Sequence, residues 1–84
     1  DVAFLLLLLE KQNGRCAISG EPLTCLLEKG KRFYTNASID RINPGKEYTI
    51  NNIQLVCSAV NQWRGDIPLQ DFIGWCKKIA EYNK

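Results

Sequence analysis

The side chains that indicate chemistry most directly are those of Asp40 and Arg41, two adjacent residues of opposite charge. They close a run of small and apolar residues and are followed by Asn43-Pro44-Gly45, which turns a chain sharply. A carboxylate is a preferred ligand of hard cations, and a guanidinium binds a phosphate through two parallel hydrogen bonds. Taken alone, the pair would be interpreted as an exposed surface ion pair of little energetic value. Together with the residues described next, it predicts a site for a metal ion, a phosphate group or both.

A polar residue later in the chain, Asn61, extends this candidate site. If residues 37–42 and 52–56 are paired strands and a helix follows from Cys57, Asn61 lies one turn into that helix and can face Asp40. One carboxylate oxygen and one amide oxygen, with room for water, suit Mg²⁺, which uses few protein ligands. Basic residues that could bring a phosphate to such an ion are Arg41, Lys46 and Arg64.

Two longer helices are predicted, one towards each end of the chain. The first covers residues 2–12 and is stopped by Asn13-Gly14, a left-handed helix terminator. The second runs from about Pro68 to Tyr82, since proline suits the first turn of a helix. An apolar stripe at the helical period, which predicts a side that faces the core, is formed by Leu69, Phe72, Ile73, Cys76, Ile79 and Ala80.

Between these helices, the sequence predicts strands, turns and a short helix. A tight hairpin of two short strands is expected around residues 19–22, "SGEP", and a basic loop over residues 26–36. The strand–turn–strand–helix segment at residues 37–66 follows and carries the candidate chemistry. The order of elements predicts a small α+β fold, with residues 1–84 forming one domain.

The N-terminal segment from Val2 to Leu9 is apolar at all eight positions. A membrane span needs about 20 such residues, and the flanking Asp1 and Glu10-Lys11 do not fit a secretory signal. We therefore expect a buried helix and no membrane association. One small core cannot cover a helix that is apolar on every side, so the segment is also expected to contact a second copy or an adjoining domain. A start at Asp1, without methionine, suggests a fragment of a longer protein.

The composition says little about which class of molecule the protein binds. The net charge is +2, from 11 basic and 9 acidic residues, well short of the excess expected of a dedicated nucleic-acid binder. The 4 cysteines could form disulfides in a small secreted domain, but nothing in the sequence indicates secretion. We therefore expect reduced thiols in an intracellular, cytoplasmic protein.

The segment SIDRINPGKEYTINNIQLVCSAVNQWRGD, residues 38–66, resembles the HNH endonucleases, whose catalytic core is the ββα-metal motif. The Asp40-Arg41 pair stands where the family often has Asp-His, and Asn52 stands where it has an asparagine before the second strand. "CSAVNQWRG" matches the helix motif Cys-x-x-Cys-Asn-x-x-Lys-Gly, and "LLEKQNGRCAISGEPL" is similar to the segment before the motif in phage-type members. The resemblance covers the chain from about Leu8 to Ile79.

This resemblance implies a role for each matched residue. Asp40 and Asn61 would hold one divalent ion, Mg²⁺ or Mn²⁺, and Asn52 would fix the loop between the strands through backbone hydrogen bonds. Arg64 would contact a phosphate of the DNA backbone. The catalytic set is then Asp40, Arg41, Asn52 and Asn61. The residues expected to face the substrate are Arg41, Lys46, Tyr48 and Arg64.

The sequence departs from the family at the position of the general base. The family's histidine accepts a proton from the attacking water, whereas this chain has 0 histidines and carries Arg41 at that position. A guanidinium stays protonated near neutral pH, so it can bind phosphate but cannot accept the proton. Other candidate acceptors are Glu47, Tyr48 and a water molecule that the metal ion activates.

The second departure concerns zinc. Family members with a zinc ribbon carry two Cys-x-x-Cys pairs, and here Ser19 and Val60 replace one member of each pair. A structural zinc site needs four ligands, and Cys25 and Cys76 have the wrong spacing to supply the missing ones. We expect no structural zinc, and apolar contacts in its place.

The leading prediction is a divalent-metal-dependent DNA endonuclease domain of a bacterial or phage protein. One alternative keeps the fold but not the reaction, as a nucleic-acid-binding module with impaired catalysis. A third possibility, from a different class, is an interaction domain held together by disulfides or zinc.

Overall fold

The computed structural model describes residues 2–24 and 34–84, so most of the predicted basic loop lies outside the described residues. The described part forms an α+β fold of three α-helices and a two-stranded antiparallel sheet, which confirms the predicted class. In chain order the elements are α1 (Val2–Lys11), β1 (Ala37–Arg41), β2 (Ile53–Cys57), α2 (Ser58–Arg64) and α3 (Leu69–Tyr82). A short 3₁₀ helix, Ile50–Asn52, lies just before β2.

Helix α1 ends where the sequence predicted, at Asn13 and Gly14. Both residues have positive φ angles, 55° and 69°. The Gly14 N–H donates to the Leu9 carbonyl at 2.8 Å and the Asn13 N–H to the Glu10 carbonyl at 3.0 Å. This pair of bonds satisfies the last carbonyls of the helix and turns the chain back towards the sheet.

The tight antiparallel turn predicted around residues 19–22 is present, but the two predicted strands are not, because residues 15–24 make only single bridges. The Cys16 N–H donates to the Glu21 carbonyl at 2.8 Å, and Arg15 bridges to Pro22. Pro22 has no N–H to continue a ladder, and Gly20 has a φ of 79°, outside the range of a strand. The segment is therefore a tight turn.

The sheet places the candidate residues at one end. In the antiparallel register Asp40 lies opposite Gln54, and Arg41 lies opposite Ile53. The outer edge of β2 is covered by the turn after α1. The Gln12 side chain donates to the Leu55 carbonyl at 2.9 Å and accepts from the Leu55 N–H at 3.0 Å, and the Ala17 N–H also donates to that carbonyl, at 3.0 Å.

The core is small and lies between the 16–23 turn, β2 and α2. Buried Cys16, Val56 and Cys57 form its centre, and Ile18, Leu23 and Val60 pack against them. Helix α2 begins directly after β2, and its first N–H groups donate to the chain just before β1. These bonds run from Ser58 to the Asn36 carbonyl at 2.8 Å and from Ala59 to the Tyr34 carbonyl at 3.1 Å.

The predictions of burial for α1 and α3 are wrong within the described residues. Neither helix contains a buried residue, and the stripe of α3 that was expected to face the core includes Ile79 at 61% exposure and the exposed Cys76. Periodicity predicts an amphipathic helix, but it does not say that the same domain covers the apolar face.

None of the helices in residues 2–24 and 34–84 has the length and hydrophobicity that crossing a bilayer requires.

Candidate active site

The end of β1, the loop that follows it and the end of α2 enclose a polar pocket of about 180 Å³. The residues that line it are Asp40, Arg41, Pro44, Tyr48, Asn61, Gly65 and Asp66. Asp40 and Arg41 of β1 and Asn61 of α2, which the sequence singled out, therefore share one pocket.

Asp40 is buried at the end of β1, with 4% of its surface exposed. Its Oδ2 atom accepts hydrogen bonds from Arg64 Nη1 at 2.7 Å and from Gln54 Nε2 at 2.9 Å. Its Oδ1 atom accepts none from the described residues, and in that part of the chain every fully buried side-chain oxygen has a partner. Oδ1 is therefore the oxygen that Asp40 exposes to the pocket.

Asn61 is oriented by β1. Its Nδ2 group donates to Ser38 Oγ at 2.6 Å and to the Ile39 carbonyl at 3.1 Å. Because a carbonyl oxygen can only accept, the second bond fixes which way the amide faces. Both Nδ2 hydrogens are used, and Asn61 Oδ1 is left as an acceptor at the wall of the pocket.

Asp40 Oδ1 and Asn61 Oδ1 are the side-chain oxygens at this pocket that could hold a hard divalent cation. Mg²⁺ is commonly held by one or two protein oxygens and keeps several waters, for which a pocket of about 180 Å³ has room. Within residues 2–24 and 34–84 there is no group of three or more His, Cys, Asp or Glu side chains that could hold a metal. A cation here would therefore take most of its ligands from water and substrate.

Arg41 is held over the pocket by three contacts. Nη1 donates to the Lys46 carbonyl at 3.1 Å, and Nη2 lies 3.4 Å from Asp66 Oδ1. The guanidinium carbon also lies 4.9 Å from the centre of the Tyr48 ring, a cation–π distance. The Arg41 side chain keeps 28% of its surface exposed, so an anion entering the pocket can reach it.

Arg64 does not occupy the exposed position that a phosphate contact requires. Its side chain has 0% exposure and forms the ion pair with Asp40. The remaining donors bind carbonyls: Nε to Ile67 at 2.8 Å, Nη2 to Ile42 at 3.0 Å and Nη1 to Arg41 at 3.2 Å. Arg64 therefore joins β1, the loop after β1 and the start of the α2–α3 connection.

The loop between the strands is organised around Asn52, which is 8% exposed. Its Oδ1 accepts from the Asn43 N–H at 2.9 Å, and its Nδ2 donates to the carbonyls of Asn43 at 3.1 Å and Glu47 at 2.9 Å. This geometry fits the loop-fixing role that the sequence implied. The loop in turn carries Tyr48 to the pocket wall, 66% exposed, whereas Lys46 and Glu47 do not line the pocket.

The residues of the two incomplete Cys-x-x-Cys pairs meet in the core. Cys16 and Cys57 are free thiols, each 3% exposed, Ser19 Oγ lies 3.9 Å from Cys57 Sγ, and Val60 packs against the cluster. Cys76 is also a free thiol, and Cys25 lies outside the described residues.

The two buried thiols have opposite pKa shifts. Burial raises the pKa of the Cys16 thiol, but hydrogen bonds from Ser19 and from the N–H groups of Cys57 and Ile18 outweigh burial, and the net pKa is lowered. At Cys57, burial and then the charge of Cys16 raise the pKa. The backbone bonds to Cys16 Sγ, from Ser19 and Cys57, are both 3.3 Å.

Sequence reasoning missed two residues of the site, Gln54 and Asp66. Gln54 lies directly opposite Asp40, so the register of the two strands was the signal that could have found it. Asp66 follows α2 and reaches the pocket only because Gly65, with a φ of 57°, turns the chain back. The motif matched on α2 ends at Gly65, but nothing in the sequence indicated that the turn there brings Asp66 to the site.

No protein-family model, no curated protein and no solved structure matches this chain.

Proposed function

We propose that this chain is a divalent-metal-dependent DNA endonuclease domain of the HNH type. The observation that carries the proposal is the convergence of Asp40 Oδ1 and Asn61 Oδ1 on one pocket beside the partly exposed guanidinium of Arg41. A metal ligand pair next to a phosphate-binding cation is the arrangement that phosphodiester hydrolysis uses. The strand–strand–helix order of the elements that supply these groups also supports it.

In this proposal, Asp40 and Asn61 hold one Mg²⁺ or Mn²⁺. When bound, the ion stabilises negative charge that develops on the phosphate and the leaving oxygen. Arg64 already neutralises Asp40, which weakens the attraction between the protein and a free cation. The substrate phosphate therefore contributes to metal binding, and we expect the ion and DNA to bind with positive cooperativity.

Arg41 binds the phosphate group in this proposal. Its position over the pocket, set by Lys46 and Tyr48, lets it donate two hydrogen bonds to phosphate oxygens. The proton of the attacking water goes to another acceptor. Of the two side chains that the sequence suggested, Tyr48 lines the pocket and Glu47 does not.

A second candidate function is a nucleic-acid-binding module without catalysis. Two observations favour it: arginine replaces the general base, and one oxygen of Asp40 is already committed to Arg64 and Gln54. Such a module would keep the Arg41 phosphate contact and lose the reaction.

A plasmid-nicking assay with Mg²⁺, Mn²⁺ and a chelator distinguishes these functions. For the nuclease, nicking requires either ion, and Asp40→Asn lowers the rate by about 100-fold or more because an amide replaces the charged ligand. The asparagine keeps an acceptor for Arg64 and Gln54, whereas Asp40→Ala leaves a buried guanidinium unpaired and is expected to destabilise the fold.

The matched control for this assay is Asp71→Asn, which removes the same charge from the exposed start of α3. It should nick like wild type. DNA binding without nicking in either ion would support the binding module. A protein that neither binds nor nicks DNA would contradict both functions.

A further inference from the structure

We infer that Gln54 and Arg64 are positioning residues that fix which oxygen of Asp40 binds the metal. Both donate to Oδ2, so Oδ1 alone is offered to the pocket and Asp40 is a monodentate ligand. This inference rests on the proposed function, because it assigns a geometry to the proposed metal site.

The two donors approach one oxygen from different elements. Gln54 lies on β2, directly opposite Asp40 in the register, and donates at 2.9 Å. Arg64 lies at the end of α2 and donates at 2.7 Å through a charged group. Hydrogen bonds with an ionised partner are short and strong, and two on the same oxygen resist rotation of the carboxylate.

Arg64 is itself immobile. Its side chain has 0% exposure, and its other hydrogen bonds go to the carbonyls of Ile67, Ile42 and Arg41. Rotation of Asp40 cannot pull this guanidinium along without breaking bonds to three backbone carbonyls. The orientation of the carboxylate is therefore set by the fold before any ion arrives.

Asn61 follows the same rule. Its Nδ2 group is held by Ser38 and the Ile39 carbonyl, which leaves one oxygen for the pocket. Each proposed ligand is thus fixed through the atom that does not bind the metal, which is how partners outside the coordination sphere orient metal ligands.

Mn²⁺ titration of Gln54→Met by calorimetry tests this inference, because methionine keeps the length of the side chain and removes the donor. We expect Mn²⁺ to bind about 10–100-fold more weakly than to wild type, the usual cost of losing a partner that orients a ligand. We also expect fewer waters on the bound ion, measured by water-proton relaxation, because a carboxylate held on Oδ2 by Arg64 alone can turn about that one bond and bind through both oxygens. A loss of general packing would not change the number of waters in this way.

Gln70→Met on the exposed face of α3 is the matched control, and Gln54→Leu serves if Gln54→Met does not fold. Wild-type affinity and hydration in the folded Gln54 variant would overturn the inference and leave the proposed metal site standing. Equal weakening in Gln70→Met would also overturn it. If wild type binds no Mn²⁺, either alone or with DNA bound, both the inference and the metal role in the proposed function fail.

Discussion

At the scale of single residues, the adjacent charges of Asp40 and Arg41 do not form an ion pair with each other. Asp40 is paired with buried Arg64, and Arg41 with exposed Asp66, so both acids and both bases of the site find partners across the gap between β1 and the end of α2. The first pair is part of the fold, since neither side chain is exposed above 4%. The second pair is open to solvent and can be exchanged for a ligand.

Substitutions at Arg41 test whether the lack of a proton acceptor limits the rate of the proposed reaction. If the chain is an active nuclease, Arg41→His places an imidazole beside Asp40 that can accept a proton near neutral pH. General-base assistance is typically worth about 10²–10⁴-fold, so plasmid nicking at pH 7 should become faster. Arg41→Ala should instead weaken DNA binding and slow nicking. If wild type and both variants are inert while Mn²⁺ still binds, the nuclease proposal is rejected.

Asp66 pairs with Arg41, so in the proposed complex it would compete with the substrate phosphate for that guanidinium. Exposed ion pairs are worth about 0.2–1 kcal/mol, so Asp66→Asn should tighten DNA binding by a factor of up to about five. Asp71→Asn makes the same charge change on α3 without touching Arg41 and should have a smaller effect. Fluorescence anisotropy at fixed salt measures both. A gain that persists in the Arg41→Ala background would show that Asp66 acts only through net charge.

At the scale of elements, the loop between β1 and β2 depends on one side chain. Asn52 forms three hydrogen bonds with the backbone of Asn43 and Glu47. Asn52→Ala leaves these half-buried groups unpaired, at a cost of about 1–3 kcal/mol in the free energy of unfolding. Its exposed neighbour provides the control, since Asn51→Ala should change that free energy by less than about 0.5 kcal/mol. Urea denaturation measures both, and equal effects would contradict the loop-fixing role.

The elements of the site were predictable because they are contiguous in the sequence. Two strands joined by one loop and followed at once by a helix bring Asp40 and Asn61 together by local geometry alone. The burial of Arg64 was not predictable, because it depends on carbonyls of Ile42 and Ile67 that point inwards only in the folded loops. The face of α3 was misjudged for a related reason, since periodicity does not identify what covers a helix.

At the scale of the whole molecule, the apolar surface exceeds what the described residues cover. Leu6 and Leu7 of α1 are 60% and 63% exposed, and α1 and the sheet border an apolar groove of about 320 Å³. Exposed aliphatic side chains in a contiguous patch favour association. The earlier expectation of a second copy or an adjoining domain at Val2–Leu9 therefore remains a prediction.

Sedimentation velocity tests this prediction. Wild type should associate as its concentration rises, and Leu6→Glu should shift the distribution towards monomer because it places a charge in the patch. Ile50→Glu makes the same change at an aliphatic residue that is 67% exposed and lies outside the patch. A wild-type chain that stays monomeric at high concentration would contradict the prediction, as would equal effects of the two substitutions.

The side chain of Gln12 has a consequence for hydrogen exchange. The Leu55 N–H points away from β1, and its only acceptor among the described residues is Gln12 Oε1. The flanking amides of Gln54 and Val56 face β1 in the alternating pattern of an antiparallel pair. Exchange at Leu55 therefore needs only the departure of the α1 end, and exchange at its two neighbours needs the strands to separate. The difference in exchange protection between the Leu55 amide and its two neighbours therefore measures the stability with which the end of α1 packs on β2, and it needs no substitution in the protein.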